Sequence, residues 1–220
     1  MASAADANTY STSASPAAAS PGGSSTRSAY TIRAVRTPDD LRTTAALFRD
    51  YAAWLDIDLS FQSFEDELAS LPGKYAPEEG GEILLACLSA AGEEAPPEPV
   101  GCVALRDITE AVGAWRASRS AGEQAAKLAG GRRIGEFKRL YVLPAGRSLG
   151  IGNALVEQIV DVARAQGYSE VLLDTLPRMQ SAQKLYRRLG FRETEKYYNT
   201  ELEGTIFMSC LLGDDGQGSG

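Results

Sequence analysis

Residues 135–156 read GEFKRLYVLPAGRSLGIGNALV, and residues 171–191 read VLLDTLPRMQSAQKLYRRLGF. A β-rich run from Ile134 to Leu143 meets Pro144, which cannot donate to a strand ladder and so ends the strand. A glycine-containing turn follows, and then a helix over 150–166. Ile151, Leu155, Ile159 and Val162 recur on one face of it, with Glu157, Asp161 and Arg164 on the other. Gly167 supplies its C-terminal stop. EVLLDTL (170–176) is a second strand, and MQSAQKLYRRLG a second helix with the stripe Ala182, Leu185, Tyr186 and Leu189. Strand, helix and strand in this order need a parallel crossover. The fold class is therefore α/β, a mixed sheet flanked by helices.

The flanking sequence is compatible with that centre. YTIRAV (30–35) alternates as a first strand. Thr37 is an N-cap with Pro38 at the first helical position, and Leu41, Ala45, Leu47, Phe48, Tyr51 and Leu55 carry the helix onward. SFEDELASL is a second, short helix that stops before Pro72. EILLACLSA (82–90) and PVGCVALRDI (99–108) are strands joined by a polar loop, and FRETEKYY and TIFMSCLL are two closing antiparallel strands. Residues 110–133, rich in Ala, Gly, Arg and Ser, read as an inserted loop with some helix. The organisation is one domain over 30–213, preceded by a Ser/Ala-rich tail (1–29) too poor in apolar residues to pack and followed by a flexible C-terminus (214–220).

Composition narrows the function classes. The chain has 220 residues, a hydrophobic fraction of 44% and no histidine, which removes Ser–His and Cys–His nucleophile pairs. Cys87, Cys102 and Cys210 sit in apolar runs with no C-x-x-C spacing, so a metal site is not expected and the thiols point to a reducing compartment, cytosol or nucleus. The net charge of -7 is divided unevenly: residues 31–110 hold 6 basic against 16 acidic side chains, and residues 111–220 hold 15 against 12. That balance argues against duplex nucleic acid as a partner. No apolar run is long enough to span a bilayer. An acidic half beside a mildly basic half suits a cationic acceptor and an anionic donor.

Arg147-Ser148-Leu149-Gly150-Ile151-Gly152 lies between a strand and a helix N-terminus. The first N–H groups of a helix lack internal acceptors and stand at the positive end of its dipole, so an anion fits there. Gly150 and Gly152 allow close approach to the backbone, and Arg147 adds charge at the rim. A dinucleotide fingerprint would need glycine at Leu155, and a P-loop would need Gly-Lys-Ser/Thr, which does not occur.

Arg147 to Gly152 carries the R/Q-x-x-G-x-G/A pattern, and Ala182 to Phe191 the A-x-x-L-Y-x-x-L-G-F pattern. In this order and spacing the chain resembles the GNAT superfamily of CoA-dependent N-acetyltransferases. The resemblance implies a splayed, mostly antiparallel sheet of six to seven strands with a central parallel pair. It implies acetyl-CoA as co-substrate, no metal, and an amine on a small molecule or peptide as acceptor, acetylated by direct attack in a monomer or homodimer. Leu140 and Val142 would offer backbone groups to pantetheine, and the amides of Leu149, Gly150, Ile151, Gly152 and Asn153 would hold the pyrophosphate. Tyr186 matches the family tyrosine that places or protonates the CoA sulfur. Glu136, eleven residues before Arg147, matches a general-base glutamate of histone-type relatives. Met179 departs from the pattern: many members carry Asn there, leaving Gln180 or Ser181 to make that contact.

The chemistry sets two proton demands. An alkyl amine has a reference pKa of about 10.4 and must lose a proton, while the leaving thiolate benefits from gaining one. Without histidine, the base is a carboxylate, a tyrosine, a lysine or a water chain. Tyr51, Trp54, Phe61, Phe64, Tyr75, Tyr197 and Tyr198, with Asp56, Asp58 and Glu201, are the side chains available to a cationic acceptor. The alternative is a CoA-binding regulatory module that keeps the fold without turnover.

Overall fold

The computed structural model describes residues 29–57, 63–89, 96–119 and 132–213. Among these residues, seven strands form one sheet in the order β1-β2-β3-β4-β5-β7-β6. They are β1 (Tyr30–Ala34), β2 (Glu82–Leu88), β3 (Glu98–Asp107), β4 (Arg133–Val142), β5 (Tyr168–Thr175), β6 (Arg192–Glu193) and β7 (Ile206–Leu211). Among the described residues, five α-helices accompany them: α1 (Pro38–Leu55), α2 (Phe64–Ala69), α3 (Thr109–Arg119), α4 (Ile151–Ala165) and α5 (Gln180–Arg188). All neighbouring strands are antiparallel except β4 and β5, which run parallel with α4 as the crossover between them.

Local sequence explains the start of α1. The Thr37 hydroxyl accepts from Asp40 N–H, while the Asp40 carboxylate accepts from Thr37 N–H, and Pro38 occupies the first turn. Two otherwise unpaired amides are thereby satisfied. Side-chain alternation then assigns the layers. Leu84, Ala86, Val103, Leu105, Phe137 and Val171 face α4 and α5. Ile83, Leu85, Cys87, Cys102 and Ala104 face α1 and α2. Further along that second face, Ile134, Leu172, Tyr197 and Phe207 pack on Val112 of α3.

Of the segment read as an inserted loop with some helix, residues 109–119 form α3, while 120–131 lie outside the described residues, as do 1–28 and 214–220. One element differs from the sequence reading. The strand expected across FRETEKYY shrinks to Arg192–Glu193, because Tyr197 and Tyr198 turn inward and pack edge-on against Phe207 at 5.2 Å.

Candidate active site

The site begins where two strands part. Strands β4 and β5 pair at Arg133–Tyr168, Ile134–Glu170, Gly135–Val171 and Glu136–Leu172, and no further. Beyond Glu136 the β3–β4 register slips by one residue, and Arg139 adopts φ 58°, the left-handed backbone of a bulge. The bulge turns β4 away from β5 while its other edge stays on β3, with Leu143 N–H donating to Val100 O at 2.7 Å. Because backbone groups alternate along a strand, those of Leu140 and Val142 point into the gap.

Arg139 is held in this conformation by a buried ion pair. Its guanidinium meets both Glu67 oxygens, at 2.8 and 3.3 Å, and each side chain is 3% exposed. Lys74 reaches the same carboxylate at 2.6 Å. Burial raises the Glu67 pKa, but Arg139 and then Lys74 pull it further down, to about 2.

A cavity of about 770 Å³ lies beside the gap. Leu140 and Val142 line one wall, Gln180, Ser181 and Ala182 another, and Gly152 and Arg147 lie on the side of the α4 N-terminus. Gly150 caps α4 at φ 78°, and a Cβ there would meet nothing within 4 Å, so glycine is required by backbone conformation and the space above it is open. Ser148 is also left-handed, at φ 66°. The first-turn amides of Ile151, Gly152 and Asn153 carry the helix-end partial positive charge. Arg147 Nε donates to Val142 O at 3.1 Å and its guanidinium lies 5.9 Å from the Trp54 ring. Arg188 fixes the Asn153 side chain at 2.6 Å, and exposed Leu149 sits on the turn. Arg178 reaches across to the Leu55 carbonyl at the end of α1.

A second cavity, about 40 Å³, adjoins the first through Leu55, Leu140 and Met179. It receives side chains from both faces of the sheet, as only a gap between strands allows. Tyr186 comes from α5 on one face, and Tyr51, Lys138 and Asp174 from the other. Tyr186 is buried, with its ring 5.7 Å from Phe191, and among the described residues its hydroxyl has no hydrogen-bond partner. Burial, with Tyr51 and the Asp174 charge adding to it, pushes this phenol well above the usual tyrosine range. It therefore stays protonated.

Sequence reasoning missed Asp174. It stands two residues past the last β4–β5 pair, on the α1 face, and binds Lys138 Nζ at 2.9 Å. Burial opposes its charge, but Lys138, and then the Tyr198 hydroxyl, more than compensate, so its pKa lies below the usual carboxylate value. Lys138 is pushed the other way: burial lowers its pKa, and Glu136 and Asp174 raise it further. Glu136 lies behind this pair. Its side chain is 0% exposed, Arg106 holds Oε2 at 2.5–2.6 Å, Tyr197 donates to Oε1 at 2.8 Å, and Lys138 stands 3.7 Å away. It lines neither cavity. Glu136 and Tyr186 are thus not side by side; Lys138 and Asp174 lie between Glu136 and the space that Tyr186 faces. Of the acceptor-side candidates, Tyr51 and Trp54 line the cavities, Tyr75 is buried in the charged layer, and Phe61 and Asp58 lie outside the described residues.

A parted parallel pair above a glycine-capped helix N-terminus leaves an open groove that ends at a cluster of unpaired backbone amides. The Acetyltransferase (GNAT) family profile matches residues 49–191, and the chain belongs to that family. It is 33% identical over 177 residues to an uncharacterised N-acetyltransferase of Schizosaccharomyces pombe, spanning 80% of this chain and 91% of the relative. Among solved structures, Arabidopsis thaliana NAA60 in complex with acetyl-CoA superposes with TM-score 0.56 at 18% identity, covering 83% of this chain and 98% of that one. The NatC complex bound to Gag peptide and CoA superposes at TM-score 0.56 and 18% identity, covering 84% and 99%. The chain is an N-acetyltransferase.

Proposed function

We propose that this protein moves an acetyl group from acetyl-CoA to a primary amine of a small molecule or peptide by direct attack. The observation that carries this reading is the inner cavity at the strand gap, where a protonated phenol and an ionised carboxylate face one space. Acetyl-CoA suits the residues present. The amides of Leu149 to Asn153 and Arg147 would hold its pyrophosphate, and Leu140 and Val142 its pantetheine amides. Bound there, it supplies an activated thioester.

Tyr186 serves the leaving group, its hydroxyl giving a proton to the sulfur as the carbon–sulfur bond breaks. Asp174 accepts the proton that the amine nitrogen sheds as the carbon–nitrogen bond forms, directly or through water. Lys138 and Tyr198 orient Asp174, and Glu136 contributes through Lys138, as an orienting group held by Arg106 and Tyr197. Cys102, the cysteine beside the bulge, is no rival nucleophile: burial pushes its thiol up to about 12, and it lines neither cavity. Three buried thiols suit a reducing compartment, cytosol or nucleus.

The test is calorimetric titration with acetyl-CoA, followed by thiol release from acetyl-CoA with small primary amines and N-terminally free peptides. Saturable binding with amine-dependent thiol release is expected. Tight binding with no release across the panel would instead favour the regulatory module.

A further inference from the structure

We propose that Met179 is the wall that restricts the donor to a two-carbon acyl chain. The inference rests on the reading above, in which the thioester lies where the large cavity meets the small one. Three side chains are common to both cavities: Leu55 from the end of α1, Leu140 from the bulged strand, and Met179 from the β5–α5 turn. Of these, Met179 alone comes from the α5 side, where the pantetheine groove runs along Gln180, Ser181 and Ala182.

Methionine is a flexible side chain and by itself a poor gauge of size. Here its surroundings fix it. Met179 N–H donates to Leu176 O at 2.9 Å, and Met179 O accepts from Gln183 N–H at 3.0 Å. Buried Gln183 clamps the turn further by donating to Leu176 O and Pro177 O at 2.8 and 3.1 Å. The thioether accepts a hydrogen bond from Thr175 Oγ1 at 3.7 Å, so the end of the side chain is tethered to the strand it must guard.

Volume does the rest. A water-sized group needs roughly 10–15 Å³ of such space. The inner cavity, at about 40 Å³, therefore admits about three. The acetyl methyl, its carbonyl oxygen and the attacking nitrogen account for all of them. A further methylene would have to displace the nucleophile or push against Met179. Methylene discrimination in such pockets runs to about 10–200-fold. Replacing Met179 with alanine removes Cγ, Sδ and Cε, and opens room for about as many carbons. Leucine, of similar volume, keeps the wall.

The experiment is titration calorimetry of the full chain with CoA, acetyl-CoA, propionyl-CoA and butyryl-CoA, for wild type, Met179→Ala and Met179→Leu. With the amine absent, butyryl-CoA exceeds the inner cavity by about one group, so wild type and Met179→Leu are expected to bind it at least about tenfold more weakly than acetyl-CoA. In Met179→Ala the gap should close to within about threefold while CoA itself binds as before. Wild type that binds butyryl-CoA as tightly as acetyl-CoA overturns the proposal without recourse to any variant. So does a Met179→Ala variant that binds CoA normally yet keeps the wild-type acyl preference. Failure of wild type to bind CoA or acetyl-CoA would be a different result, and would overturn the donor-site reading on which the gate stands.

Discussion

Replacing Glu67 with glutamine tests whether a buried ion pair maintains the bulge. The substitution keeps the side-chain shape and removes the charge that faces Arg139, which is 3% exposed. Two lines of arithmetic give its size. Breaking one side of a buried pair costs about 3–5 kcal/mol. Independently, the Glu67 pKa falls from 4.5 in the unfolded chain to about 2 in the folded one. At 1.36 kcal/mol per unit this amounts to about 3 kcal/mol. Because the folded pKa is depressed, the contribution is complete above about pH 4.5 and is lost as pH falls through 2. The wild-type advantage over Glu67→Gln, measured by urea unfolding, should therefore be about 3 kcal/mol at pH 7 and about 1.5 kcal/mol at pH 3. In parallel, relaxation of Arg139 should raise the KM for acetyl-CoA more than it lowers kcat, since Leu140 and Val142 present their backbone from the bulge. A difference below 1 kcal/mol at pH 7, or one that does not shrink with acid, would refute the reasoning.

Other outcomes follow from the same geometry. Gly150→Val meets no clash but forces a β-branched residue to φ 78°, so it should cost about 1–2 kcal/mol of stability and at least tenfold in acetyl-CoA affinity by calorimetry. Tyr186→Phe preserves the contact with Phe191 and removes the hydroxyl, which should lower kcat by about 10²–10⁴ with an unchanged melting temperature. Asp174→Asn should lower kcat by a similar factor. Since the wild-type carboxylate titrates below the usual range, kcat/KM between pH 6 and 9 should climb with deprotonation of the amine alone, and a second ionisation near pH 6 would contradict the assignment. Glu136→Gln leaves the Arg106 charge without its partner, and should lower stability by about 3 kcal/mol in chemical unfolding.

What could be read from the sequence was local in origin. Thr37, Pro38 and Asp40 announce the start of α1 because a capping box is closed within four residues. The Arg147–Gly152 turn and the α4 stripe are legible for the same reason. Helix α3 was legible only as some helix within an inserted loop, because Val112 is its one buried residue among the alanine, arginine and serine of 109–119, too little for a clear helical period. Asp174 escaped because its importance depends on where β4 leaves β5, and the bulge that decides this depends on Glu67, 72 residues from Arg139. One signal was available. A lone acid inside the otherwise apolar run VLLDTL, and the polar trio Glu136, Lys138 and Arg139 inside another strand, have no place in a fully apolar core. Their presence marks the layer where buried charges must find one another.

The parted strands also carry a mechanical consequence. Across the middle of the sheet the two halves, β1–β4 and β5–β7, are joined by four register pairs at one end and by nothing in the ladder at the other. A ligand that bonds to the Leu140 and Val142 backbone takes the position of a guest strand, completing a seam the chain leaves open. The halves should then swing less, and amide hydrogens along Leu140 to Val142 and around Thr175 should exchange more slowly in the complex than in the free protein. The donor would thus be, for as long as it stays bound, part of the sheet.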